Sequence, residues 1–228
     1  MRNEDVWLVV PLYNEASVIG DVVKDARARF PKIVCVDDGS RDGSGEVAEA
    51  AGAAVVRHPV NLGQGAALQT GIDYALTDTA TQYVVTYDAD GQHQLDDVEV
   101  MLGRIRQGDA KVVFGSRFLD ERTKPSALKK LVLRAAVAYT NATTGTRLTD
   151  AHNGLRVLDR DVAARIDITQ NRMAHASEIV SQIGSMRFDG EQVRYAEEPV
   201  HILYTDYSRA KGQSLLNSIN ILAELIWR

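Results

Sequence analysis

QYVVTYDADGQHQLDD, residues 82–97, decides how the chain is read. The apolar run Tyr83-Val84-Val85 is strand-like and leads straight into Asp88 and Asp90, with Gln92 and His93 close behind. At strand period two such carboxylates point to opposite faces. A strand that stops at Asp88, followed by a turn, brings both inward. Two carboxylates in one site repel unless a cation joins them. Mg²⁺ or Mn²⁺ takes hard oxygen ligands and keeps positions open for phosphate oxygens, and Gln92 adds a neutral oxygen. The plain alternative is a solvated Asp-Gly turn, and spacing alone does not choose between them.

The flanking sequence does. Upstream, VWLVVPLY (6–13), KIVCVDD (32–38) and AAVVRH (53–58) are strand-like runs. Between them Val18, Ile19, Val22, Val23, Ala26 and Phe30 fall at helical spacing, and GSGEVAEAAG (43–52) and GQGAALQTGIDYALTDT (63–79) read as helices. Downstream come a helix over about 94–106 and a fifth strand, AKVVFGS (110–116). Strands alternating with helices predict an α/β fold with a mostly parallel central sheet, Rossmann-like, helices on both faces. In such sheets ligands bind beyond the strand carboxyl ends. Polar clusters sit at those ends: Tyr13-Asn14-Glu15, Asp37-Asp38-Gly39-Ser40, Asp88-Ala89-Asp90 and Gly115-Ser116-Arg117. Four segments converging on one rim say more than any one motif.

The second half is less regular. A helix is expected over about 126–143, a turn and short strand over 149–161, a helix over 174–186, a strand over 190–200 and an amphipathic helix from about Gln213. Lys129 and Arg134 lie five apart on the first of these helices, with Lys124 and Lys130 nearby. A departing pyrophosphate or a phosphate acceptor needs such cations; a solvated basic face is the alternative. Asp38 is suited to accepting from a uracil imide or ribose hydroxyls, or belongs to a capped Asp-Gly-Ser turn. NLGQGAAL (61–68) offers backbone N–H groups at a helix start, but without the Lys-Ser/Thr of a P-loop. Asp150 in DAHNG orients or deprotonates an acceptor, or caps a turn. His93 and His152 read as hydrogen-bonding neighbours of carboxylates.

Composition excludes several classes. Apolar residues make up 45% and charged residues 25% of 228, and the net charge of −5 argues against nucleic-acid binding. A single cysteine, Cys35, rules out an internal disulfide and fits a reducing compartment. The N-terminus has no signal-peptide pattern, and no stretch reaches the roughly 18 apolar residues of a spanning helix. The expectation is a cytoplasmic protein, peripheral at the inner face of the membrane.

Taken together, VVPLYNE, VDDGSRDGS, NLGQGAALQTGI, DADGQH, GSR and DAHNGLRVL resemble, in order and spacing, the family 2 glycosyltransferases of the GT-A fold. Within that family the chain is most similar to polyprenyl-phosphate sugar synthases such as dolichyl-phosphate mannose synthase. The resemblance implies Asp88, Asp90 and Gln92 around Mg²⁺ or Mn²⁺. It implies Pro11, Tyr13, Glu15, Asp38, Gly65, Asp88 and Ala89 around the donor, and Arg117, Lys129 and Arg134 on phosphates. Asp150, Asp90 and Arg117 then carry the chemistry. One 228-residue domain is expected, with a nucleotide-sugar half (1–117), an acceptor half (118–212) and the C-terminal helix (213–228). Two departures stand out. Gln64 replaces the lysine of N-x-G-K-G, and DAHNGL replaces D-x-x-S-G-F.

The implied activity is inverting transfer of a sugar from a UDP- or GDP-sugar to a polyprenyl phosphate or other lipid-linked acceptor. Transfer to a sugar hydroxyl, and a non-catalytic nucleotide-sugar-binding module, are the rival readings. The tail's apolar stripe (Leu215, Leu216, Ile219, Leu222, Leu225, Ile226) with Trp227 suits a membrane surface, its own core, a homodimer contact or a small membrane-protein partner.

Overall fold

The computed structural model describes residues 3–120, 127–172 and 174–203, with backbone only for 127–134. The expected C-terminal helix lies outside the described residues.

The strands read from the first half form, each ending within a few residues of expectation: β1 (Val6–Leu12), β2 (Lys32–Asp37), β3 (Ala54–Arg57), β4 (Tyr83–Thr86) and β5 (Val112–Ser116). Between them run α1 (Ile19–Arg27), α2 (Ser44–Ala50), α3 (Gln64–Thr77) and α4 (Leu95–Ile105). After β5 come α5 (Ala127–Thr144), β6 (Arg156–Asp159), α6 (Arg160–Ala163), α7 (His175–Ser185), a small hairpin of β7 (Arg187–Phe188) and β8 (Glu191–Gln192), and β9 (Tyr195–Pro199). The seven-stranded sheet has the order β3-β2-β1-β4-β6-β5-β9.

Both sheet faces are covered, so the strands are apolar on both sides, as a mostly parallel sheet requires. Val6, Leu8, Val10 and Leu12 of β1 join Ile19, Val23, Ala48, Val98 and Met101 in one core. Val9 joins Val36, Leu68, Ile72, Val84, Phe114 and Ile179 in the other. Each fully buried side chain of this size contributes about 1.5–3 kcal/mol by leaving water.

Two features depart from expectation. The strand expected over 190–200 is split: β8 pairs antiparallel with β7, while β9 pairs parallel with β5 in the main sheet. The turn before β8 uses left-handed backbone at Asp189 and Gly190 (φ 51° and 84°), which favours a tight hairpin over a continuous strand. The short strand expected over 149–161 is β6, and it is inserted antiparallel between β4 and β5. It reaches the middle of the sheet and carries Arg156 there, in register with Thr86 and Phe114.

Candidate active site

β1, β2, β4 and β5 are parallel and deliver their carboxyl ends to one rim, while antiparallel β6 arrives with its amino end there. The loops after β1 and β2 clasp each other. Ser40 Oγ accepts from Asn14 N at 3.0 Å, Ser44 Oγ accepts from Glu15 N at 2.7 Å, and Asn14 Oδ1 accepts from Arg41 N. Asn14 takes left-handed backbone, φ 53°, which asparagine tolerates. This geometry leaves Tyr13 45% exposed on the rim and buries Glu15, whose charge acts on Asp90. Pro11 is half-buried on β1 and Ala89 is buried between the two aspartates.

Asp88 and Asp90 follow β4 on a turn. His93 Nε2 lies 2.8 Å from Asp88 Oδ2 and fixes the carboxylate, as a hydrogen-bonding neighbour. The Asp88 side chain is 31% exposed, and Oδ1 has a long 3.5 Å contact from Gln64 Nε2. Gly154 lies directly against it: a Cβ there would stand 2.5 Å from Asp88 Oδ2. Asp90 Oδ1 accepts from Gln92 N at 3.0 Å. Burial works to raise Asp88, but the His93 bond and the charges of His93 and Arg156 overcome it and hold the carboxyl below its ordinary value. Burial and the Asp88 charge push Asp90 up to about 6. Two carboxylates, one held ionised and the other strained by that charge, form a set that a divalent cation would relax, and their hard oxygens fit Mg²⁺ or Mn²⁺. Gln92 is buried beside them, and its described contacts are main-chain ones: its carbonyl accepts from Leu203 N. A cavity of about 650 Å³ between α1 and α4 reaches Asp90 and Gly91 and has Leu203 in its wall.

Asp38 behaves differently. Its Oδ1 accepts from Leu62 N at 2.8 Å and meets His58 Nδ1 at 2.7 Å, and its Oδ2 accepts from Gly63 N at 2.7 Å. It is 3% exposed. Its oxygens hold the 61–63 loop. Gly65 N donates to Asn171 O at 3.0 Å, and a Cβ on Gly65 would collide with Gln170 O. The amides of Gly63 and Gly65 are therefore engaged inside the protein, and the expectation that they face phosphate freely is corrected. The irregular segment at 170–171, before α7, packs its backbone into that notch.

On the far side of β6, Arg117 forks onto Asp150. Nε lies 2.6 Å from Oδ2, Nη2 lies 2.8 Å from Oδ1, and the Arg117 amide adds a bond of 3.1 Å. Burial opposes ionisation of Asp150, and the Arg117 charge and bonds outweigh it, so the carboxyl sits below its ordinary value. Glu197 of β9 accepts from Thr149 N, Thr149 Oγ1 and Asp150 N and so pins the turn. His152, expected to neighbour a carboxylate, lies 3.3 Å from Ser177 Oγ, and burial pushes it down to about 4. Lys129 and Arg134 lie on α5, with side chains outside the described residues.

The sequence reading missed Arg156, Gly154, Glu197 and the 170–175 segment. Arg156 had a signal: a lone charge inside the apolar run Leu155-Arg156-Val157-Leu158. It is 1% exposed, and its Nε and Nη2 have no hydrogen-bond partner among the described residues.

Residues 7–167 match the family model for glycosyl transferase family 2. The chain belongs to that family. The transferase is 26% identical to the UDP-N-acetylglucosamine–dolichyl-phosphate N-acetylglucosaminyltransferase of Methanococcus voltae, over 99% of this chain and 96% of that one. It is 30% identical to the polyprenol monophosphomannose synthase of Mycolicibacterium smegmatis, over 71% and 64% of the two chains. Its fold is GT-A. The glucosyl-3-phosphoglycerate synthase of Mycobacterium tuberculosis, solved with Mn²⁺, UDP-glucose and phosphoglyceric acid, superposes with a TM-score of 0.69 at 19% identity, over 98% of this chain and 79% of that one. No helix among the described residues is long and apolar enough to cross a membrane.

Proposed function

We propose that this family 2 glycosyltransferase moves a sugar, with inversion, from a nucleoside-diphosphate sugar to a polyprenyl phosphate at a membrane surface. One observation carries the choice of acceptor. Asp150 is buried, ionised and bound on both oxygens by Arg117. A carboxylate so engaged is a poor base. A phosphate acceptor is already anionic and needs none, whereas a sugar hydroxyl does.

The remaining residues take roles to match. Tyr13, Pro11, Glu15 and Ala89 line the donor side, and Asp38 shapes the wall by fixing the 61–63 loop. Asp88 and Asp90, with Gln92, would hold Mg²⁺ or Mn²⁺. Such an ion, when bound, neutralises the departing nucleoside diphosphate. Arg117, Lys129 and Arg134 supply cations for the phosphates. The transferases of M. voltae and M. smegmatis, named for lipid-phosphate acceptors, support this reading, and the Mn²⁺ and UDP-glucose bound by the structural neighbour support the donor and metal. Work at the inner face of the membrane, through the tail or a small membrane-protein partner, belongs to the same proposal. UDP and GDP donors both remain within it.

The test is a panel of UDP- and GDP-sugars with Mn²⁺ and a polyprenyl phosphate, reading nucleoside diphosphate release. Asp150→Asn is expected to keep most of its turnover. A loss of about 10²–10⁴-fold would favour a hydroxyl acceptor and a true base at Asp150. Nucleotide binding without turnover on any acceptor would leave a binding module.

A further inference from the structure

The glycine-rich loop before α3 is held from both sides. Asp38 accepts from Leu62 N and Gly63 N, and Gly65 N donates to Asn171 O. Gly63 has a φ of 106°, a conformation that favours glycine, and a Cβ on it would stand 2.2 Å from Asn171 O. These anchors spend the amides of Gly63 and Gly65 on the protein itself and fix the first turn of α3. What the loop offers the site is a side chain. Gln64, the first residue of α3, is exposed between the two anchored glycines, and its Nε2 lies 3.5 Å from Asp88 Oδ1.

Asp88 has that oxygen to give. Its Oδ2 is taken by His93 Nε2 at 2.8 Å. Gly154 closes over the carboxylate from the β6 side, where even a Cβ would stand 2.5 Å from Oδ2 and 2.8 Å from Oδ1. A contact of 3.5 Å from a neutral amide is weak, so Oδ1 is touched but not spent. A divalent cation arriving at Oδ1 would displace the amide. The freed N–H group then lies beside the cation, where the diphosphate of the proposed donor would be held. A hydrogen bond to such a charged oxygen is roughly twice as strong as one between neutral groups.

We propose that Gln64 is a donor-binding residue with two successive partners: its amide rests on Asp88 Oδ1 while the cation is absent, and donates to a diphosphate oxygen once the cation takes Oδ1. This rests on the reading of Asp88 as a cation ligand and of the donor as a nucleoside-diphosphate sugar. The neutrality of the side chain matters. An ammonium at 64 would meet Asp88 as an ion pair and the cation as a like charge; an amide does neither.

The test is a charge series on the full-length protein: Gln64→Lys, Gln64→Glu and Gln64→Met. Mn²⁺ is titrated first, without nucleotide, by calorimetry. Gln64→Lys is expected to weaken Mn²⁺ about tenfold, Gln64→Glu to tighten it about as much, and Gln64→Met to stay within about twofold of wild type. UDP or GDP is then titrated into the Mn²⁺-saturated proteins. Gln64→Met is expected to weaken the nucleotide about tenfold and Gln64→Glu further, while Gln64→Lys binds it at least as well as wild type. Equal Mn²⁺ affinity across the charge series overturns the proposal, and so does equal nucleotide affinity in wild type and Gln64→Met. A third arm, thermal unfolding in chelator, needs no metal. Gln64→Lys is expected to be worth about 2 °C more in Tm beside Asp88 than in the Asp88→Asn background. No difference between the two backgrounds means that residue 64 does not face Asp88, and it overturns the proposal whether or not Mn²⁺ binds. If the difference is present and the wild type takes up no Mn²⁺, the cation reading is what fails, and the contact with Asp88 stands.

Discussion

Asp37-Asp38-Gly39 and Asp88-Ala89-Asp90-Gly91 are the same device in sequence: a buried parallel strand running into aspartates and a glycine turn. In the structure they have opposite fates. The first pair is consumed by the protein. Asp37 Oδ1 accepts from Ser40 N, and Asp38 is filled by Leu62 N, Gly63 N and His58. The second pair is left in want. Asp88 keeps one oxygen with only a long contact from Gln64, and Asp90 is pushed up to about 6 by burial and its neighbour's charge. Carboxylates that meet backbone amides build walls; carboxylates that crowd each other are the set the proposed cation would relax.

The sharpest way to break this contrast is to remove each pair in turn. Asp88→Ala with Asp90→Ala is expected to cost about 10³-fold or more in nucleoside diphosphate release, with a Tm equal to or above the wild type's in chelator. Turnover surviving in chelator would end the contrast. Asp38→Ala should do the reverse. Buried amides at 62 and 63 lose their acceptor, for about 2–4 kcal/mol of stability, seen as a lowered denaturation midpoint, while Mn²⁺ affinity stays near wild type.

A pH series sharpens the comparison further. A carboxylate whose folded-state value is raised binds its proton more tightly when folded. It therefore costs nothing below its unfolded value and destabilises increasingly as pH rises from about 4 through about 6. Asp90→Asn should stabilise the metal-free protein at pH 7.5 by about 3 kcal/mol at most, seen as a raised Tm, and leave the Tm nearly unchanged at pH 4. Saturating Mn²⁺ should reverse the order, because ligand binding stabilises only the protein that holds it. Equal gains at both pH values would remove electrostatic strain from the account. The smallest effect expected is at Gly154. Gly154→Ala puts a methyl group on the Asp88 carboxylate and should weaken Mn²⁺ about tenfold, roughly 1.4 kcal/mol, as read by calorimetry.

How much of this was legible follows from distance along the chain. β1 to β5 were readable because each is an apolar run closed by its own turn residues, a local signal. The convergence of Tyr13, Asp88 and Arg117 on one rim followed from the parallel order alone. What was illegible depends on remote partners. The donors to Asp38 lie 24 and 25 residues on. Nothing near Gly65 announces that the backbone at 170–171 will fill its notch. The antiparallel insertion of β6 could not be read from a four-residue strand, and with it went Arg156, which looks like a surface charge until its strand is set between two others. The split of 190–200 depends on the left-handed Asp189-Gly190 turn and on β7, which lies before the run.

That insertion also bears on how the chain acquires its shape during synthesis. β5 leaves the ribosome before β6, yet its sheet neighbours among the described residues are β6 and β9. Until residue 159 has emerged, Val112–Ser116 has no ladder to join, and the edge of β4 stays bare. The first four strands can zip as they appear, while the segment carrying Arg117 must wait more than forty residues for its place. An unpaired apolar strand held that long is a template for wrong partners, so nascent chains paused between 116 and 156 should be the ones that chaperones find.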